Sequence, residues 1–125
     1  MPLLPDLLRE RRRVLDRYVA TLGDAVRLIV PDHPYSGYKV VVELPGHTDR
    51  GRVKDAMAQR GIGLQSEIYE LPLHHQPAIS ARHVGESYPG AERSCGRQIC
   101  LPVYPSLDDG AVDFVAESLL EVLGG

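Results

Sequence analysis

An α+β fold is predicted: a small, mainly antiparallel sheet of about three strands, helices packed on one face, and long helices at the N- and C-terminal ends. Three observations lead there. Apolar residues recur at helical spacing near both ends of the chain, through Leu7, Leu8, Val14, Leu15, Tyr18, Val19 and Leu22, and again through Val112, Val115, Leu119 and Leu120. Only three short stretches read as strands, and two of them can pair as chain neighbours. The 125 residues, 43% apolar and 25% charged, suit one domain over 1–125 with a core of its own.

Taken in order, Pro5 and Asp6 open the first helix, predicted over about 6–22, and Gly23 ends it. Arg9, Arg11, Arg12 and Arg13 lie mostly off its apolar stripe, as a solvated face balanced by Asp6, Glu10 and Asp16 or as a basic groove. "VRLIV" (26–30) and "YKVVVEL" (38–44) read as strands, the second too apolar for a water-exposed edge. A helix follows from about Arg50 to Arg60, with Val53, Ala56 and Met57 inward and Gly61 placed for a left-handed stop. The segment from about Gln65 to Pro89 shows no periodicity, and an irregular run this long in so small a domain suggests a binding loop or disorder. "YPGAERSC" then reads as a short helix and "QICLPVY" as a strand. The last helix runs to about residue 123, capped by Asp108 or Asp109 with Leu107 as a staple. A three-stranded sheet is thin, so its second face needs cover from the long segment or from another chain.

Composition excludes several classes. A formal net charge of −3 offers nothing for phosphate neutralisation, so no nucleic-acid partner is expected. No stretch approaches a membrane-spanning length, and "MPLLPDLLRERRR" lacks the apolar run of an export signal. Cys95 and Cys100 read as reduced thiols, in keeping with a cytoplasmic location.

Candidate chemistry centres on "YELPLHHQP", residues 69–77. For a metal, His74, His75, His83, Cys95 and Cys100 miss the usual ligand spacings, and His74 and His75 diverge if the backbone is extended; no metal site is expected. Cys95 or Ser94 with a histidine and Glu92 lacks a nucleophile signature, and Cys100 reads as a small core residue. "GIG" (61–63) is too short for a dinucleotide fingerprint. The residues alone yield no catalytic or cofactor-binding assignment.

"RRRVLDRYVATL", "YKVVVEL", "RVKDAMAQRGIG", "YELPLHHQP" and "CLPVYPSLDDGAVDFVAESL" together resemble, in order from about Arg11 to Leu123, the C-terminal small domain of the DegT/DnrJ/EryC1/StrS aminotransferases. The most specific parts are P-L-H-x-Q-P at Pro72–Pro77 and L-P-x-Y-P-x-L before the last helix. These are pyridoxal-phosphate enzymes that aminate nucleotide-linked keto-sugars or related cyclitols. The resemblance implies that the loop lies at a domain junction near substrate, with Tyr69, His74 and Gln76 as tentative substrate-binding residues. His74 and Gln76 acting only as tethers of the loop is the alternative.

Family enzymes are about three times longer, and a large domain supplies their Schiff-base lysine, the aspartate facing the pyridine nitrogen and the phosphate-binding groups. Only Lys39 and Lys54 are present here, and neither has a pocket suggested around it. The expectation is therefore a stand-alone, catalytically incomplete homologue that binds no cofactor alone, an interaction or accessory protein of a sugar or natural-product pathway. One half of a split aminotransferase, acquiring pyridoxal phosphate only with a large-domain chain, is the alternative. A repurposed small enzyme or ligand-binding protein using the His74 loop is a further one. A homodimer, or a heteromer with a large-domain or pathway enzyme, is also expected, because loss of the large domain would leave Leu7, Leu8, Val14, Leu15, Val40 and Val42 without cover.

Overall fold

The computed structural model describes residues 3–64 and 70–125. Helix α1 (Leu4–Leu22) leads into β1 (Arg27–Ile29), β2 (Val40–Glu43) and α2 (Arg50–Gln59); α3 (Pro89–Arg97), β3 (Gln98–Leu101) and α4 (Asp109–Gly124) follow. The sheet has the order β1-β2-β3 and both pairings are antiparallel, with Leu28 opposite Val42, Val42 opposite Ile99, and Val41 opposite Cys100. The apolar β2 is thus the central strand, as its composition requires.

Alternation along the strands sorts their side chains. Val40, Val42, Ile99 and Leu101 face the helices and join a single buried cluster with Val14, Leu15, Tyr18 and Leu22 of α1, Val53 and Met57 of α2, and Val112, Ala116 and Leu119 of α4. Helix α4 is the hub of this layer, packing on both α1 and α2. Of the residues expected to lack cover, Val14, Leu15, Val40 and Val42 are buried within this cluster, whereas Leu7 is half-buried and Leu8 exposed. Cover for the buried four comes from the shared cluster, to which α1, α2 and α4 all contribute side chains. Leu8 and Val19, expected inward, are exposed because they fall outside the arc of α1 that α4 covers.

The termini of the elements follow local chemistry. Asp108 caps α4, its carboxylate accepting from the Ala111 amide at 2.7 Å, and the residues on either side of the first turn, Leu107 and Val112, share the buried cluster as a hydrophobic staple would require. Asp49 caps α2 in the same way, through the Arg52 amide. Gly61 follows the last turn of α2 with φ of 80°, the left-handed stop expected of it. Strand β3 ends at Leu101, short of the predicted Tyr104, because Pro102 has no amide to continue the ladder.

The long segment is not structureless where it is described. Short 3₁₀ turns at Leu73–His75 and Ser80–Arg82 are joined by backbone hydrogen bonds between Gln76, Ile79 and Ser80. Leu71, Pro72, Leu73 and Gln76 share a cavity with Gln98, which points to the side of the sheet away from the helices, so this segment supplies cover at the start of β3. Farther along that side, Val41 and Cys100 are buried while Ile29 is exposed. Among the described residues, no helix is long and apolar enough to cross a membrane.

Candidate functional site

Pro72 is buried and sets the entry to the first 3₁₀ turn, which places His74 inward. His74 is only 6% exposed. Its Nε2 lies 3.0 Å from Glu92 Oε1, which belongs to the first turn of α3. The same carboxylate oxygen accepts from the Tyr88 amide at 2.9 Å and from the Ser87 hydroxyl at 3.3 Å. Donation by the Tyr88 amide, and then by His74, holds the Glu92 carboxyl below its ordinary range. The Tyr88 ring meets His74 edge-on with centroids 4.8 Å apart. Its hydroxyl donates to Glu86 at 2.7 Å, and His83 Nδ1 lies 2.6 Å from the same oxygen of Glu86. These contacts hold the Glu86 carboxyl down and push the Tyr88 hydroxyl up. Residues 74–92 are therefore tied into one polar network at the point where the loop enters α3.

Gln76 donates from Nε2 to the Leu71 carbonyl at 3.1 Å, closing the turn across Pro72. Tyr69 lies outside the described residues. His74 and Gln76 thus both bond within the chain, while a cavity of about 590 Å3 opens beside them. Leu71, Leu73, Gln76, Ala91, Cys95 and Gln98 line it, giving a mainly apolar wall with two amide side chains. That composition suits a ligand or partner surface that is largely apolar and carries a few hydrogen-bonding groups.

The two histidines do not diverge as an extended backbone would have them. The 3₁₀ turn brings their rings to 4.1 Å between centroids, and His74, His75 and Glu92 place ligand-capable atoms within 4.8 Å of one another. The spacing rule overlooked this grouping because Glu92 reaches it from another element, 18 residues away. Within the chain the carboxylate oxygen nearest the histidines is engaged by three donors, which makes the group a latch. The nucleophile pairing does not form. Glu92 takes His74, Cys95 is buried on α3, and its carbonyl accepts from Arg50. Cys100 is buried in β3, as a small core residue would be.

Comparison with known proteins places these features in a family. A family model described as the DegT/DnrJ/EryC1/StrS aminotransferase family matches residues 1–120. The chain belongs to that family. A dTDP-4-dehydro-2,3,6-trideoxy-D-glucose 4-aminotransferase from Saccharopolyspora spinosa is 34% identical over 119 residues, covering 91% of this chain but 29% of the relative. The aminotransferase TlmJ from Streptoalloteichus hindustanus superposes with a TM-score of 0.81 at 30% identity, over 97% of this chain and 33% of its own. A DegT/DnrJ/EryC1/StrS aminotransferase from Brucella abortus gives 0.78 at 25% identity, over 96% and 32%. The chain therefore spans about one third of the length of the relatives it matches. It has the fold of a fragment of a sugar aminotransferase.

Pyridoxal phosphate does not fit the residues described. Among the described residues, the cavity that Lys39 lines has no aspartate, and the Lys39 Nζ sits 5.3 Å from the Tyr38 ring centroid. Lys54 lies half-buried on α2. Neither arrangement supplies a lysine and an opposed aspartate around a ring.

Proposed function

We propose that this chain acts as the small domain of a pyridoxal-phosphate-dependent aminotransferase of a nucleotide-linked keto-sugar, in company with a large domain that carries the cofactor. The observation that carries this reading is the family match over residues 1–120 in a chain that spans about a third of its relatives. The cavity beside the His74 latch supports it, since Leu71 and Leu73 stand exposed on a loop that the latch holds in one conformation. In this reading the large domain supplies the cofactor and the lysine that holds it. The loop from Leu71 to Gln76 forms part of the substrate-facing wall, with Gln76 and His74 setting its shape.

The test is reconstitution. The chain is mixed with the part of the Saccharopolyspora enzyme that it does not match, with pyridoxal phosphate, an amino-acid donor and dTDP-4-dehydro-2,3,6-trideoxy-D-glucose. Amino-sugar appearing by mass spectrometry only in the complete mixture is the expected result. Co-purification without product would favour an accessory protein that binds a partner and completes no active site. Neither association nor product would overturn both readings. Borohydride reduction of the isolated chain with excess cofactor should leave Lys39 and Lys54 unmodified, and stoichiometric labelling of either would contradict the division of labour.

A further inference from the structure

Among the described residues, His74, His75 and Glu92 are the only histidine, cysteine or acidic side chains that gather three ligand atoms within 4.8 Å of one another. Two imidazoles and a carboxylate are a donor set that zinc takes, at about 2.0–2.2 Å from each atom. Tetrahedral bonds of that length put the ligand atoms about 3.3–3.5 Å apart. Here His74 Nε2 and Glu92 Oε1 are 3.0 Å apart, and the whole set falls within 4.8 Å. These separations bracket the required one, so closing around an ion calls for side-chain shifts of about 1–1.5 Å.

The three side chains differ in how far the chain already uses them. His74 is buried, and its ring packs on both His75 and Tyr88. Glu92 is anchored through Oε1 by the Tyr88 amide and the Ser87 hydroxyl, the kind of outer hydrogen bond that orients a metal-binding carboxylate. Among the described residues, Glu92 Oε2 makes no hydrogen bond or ion pair. The His75 ring is exposed and likewise makes none; its contact is with the His74 ring, 4.1 Å between centroids. A tether for the loop needs only His74 and Glu92. It gives no reason for a second imidazole held against the first on the solvent side.

We propose that His74, His75 and Glu92 form a zinc site that fastens the loop to α3. The ion takes the place of the hydrogen between His74 Nε2 and the Glu92 carboxylate, and that proton passes to solvent. His75 closes on it from the exposed side, and water fills the remaining position. Imidazole nitrogen favours zinc over magnesium or calcium, which prefer oxygen ligands. The bonds join two elements that hydrogen bonds already bring together, and so make a cross-link of the latch. None of this depends on a large domain or on pyridoxal phosphate, so the site stands apart from the function proposed above.

Zinc sulfate is titrated by calorimetry into the 125-residue chain after treatment with a chelator. Magnesium chloride is a parallel titrant, and cobalt(II) serves as a spectroscopic stand-in. One zinc per chain is expected, with no saturable magnesium binding. Cobalt should give the visible bands of nitrogen and oxygen ligation without a thiolate charge-transfer band. At zinc about 100 times its dissociation constant, amides of residues 73–76 should exchange about a hundredfold more slowly. His75→Ala is the deciding variant, because that side chain takes no part in the hydrogen-bonded latch. It should keep the loop protection seen without zinc, yet lose zinc affinity by at least about tenfold, since loss even of a supporting hydrogen bond costs a metal site about 10–100-fold. Glu92→Gln should weaken binding as well, and if it loosens the loop, His75→Ala decides alone. His83→Gln, whose ring lies against Glu86 rather than Glu92, should bind as the unaltered chain does. Absence of saturable zinc binding, magnesium binding of comparable affinity, or full affinity in folded His75→Ala would overturn the site. So would a thiolate band, which would assign the ion to Cys95 or Cys100.

Discussion

The seam between α1 and α4 and the segment from Leu71 to Glu92 are held by different forces. At the seam, Val14, Leu15 and Tyr18 meet Val112, Val115 and Leu119 in the central buried cluster. The Tyr18 hydroxyl donates to the Pro102 carbonyl at 2.9 Å, and burial pushes that hydroxyl up. Arg13 and Arg17 lie along the rim, reaching Asp109, the Leu107 carbonyl and Asp113. The loop segment buries little beyond Pro72 and His74, and its order comes from polar contacts converging on Glu92 and Glu86. Apolar packing is non-directional and grows with area, so it tolerates the loss of a polar contact. A hydrogen-bonded latch is directional, and losing one member releases its neighbours.

Breaking the seam should have the largest effect. Leu119→Ala removes a fully buried side chain at the hub of the helical layer and should cost about 2–5 kcal/mol, read as a lowered denaturation midpoint. A loss below about 1 kcal/mol would mean that α4 is not the organising element. His74→Ala should act next and locally. Amides of residues 73–76, of Tyr88 and of residues 90–92 should exchange about tenfold faster, as loss of about 1–1.5 kcal/mol implies, while α1 and α4 keep their protection. Equal loss everywhere would show that the latch belongs to the global core.

Acid should separate the two regions in the same direction. The Glu92 carboxyl is depressed, so its contribution is fully present above the ordinary carboxyl range and is lost as pH falls through its lowered value. Loop amides should lose protection in that window, before the helical core does, and Glu92→Gln should remove the part of the pH dependence that Glu92 carries, leaving that of the likewise depressed Glu86. Smaller still is Asp108→Ala, which deletes the α4 cap at a cost of about 1 kcal/mol. Arg17→Ala should matter least. The pair with Asp113 holds that carboxyl down, yet both partners are solvated, so the shift in midpoint should fall below that of the cap variant and vanish in high salt.

Local chemistry in the sequence was enough to determine the α+β class, the two long helices, the antiparallel strands with β2 at the centre, a cap at Asp108 or Asp109 and the Gly61 stop, since periodicity, capping and turn preference act over a few residues; the structure chose Asp108. The motifs at Pro72–Pro77 and before α4 were likewise legible as family marks. Tertiary structure alone decided which apolar faces find cover, because Val40 and Val42 share one buried cluster with α4 residues about 70 positions away. It also decided that His74 meets Glu92 and that His75 turns toward it, for a 3₁₀ turn and a distant helix leave no spacing to read. The same holds for Arg11. In the sequence it is one of a run of arginines, and only the packed chain shows that its neighbours have carboxylates within reach while, among the described residues, it has no ion pair.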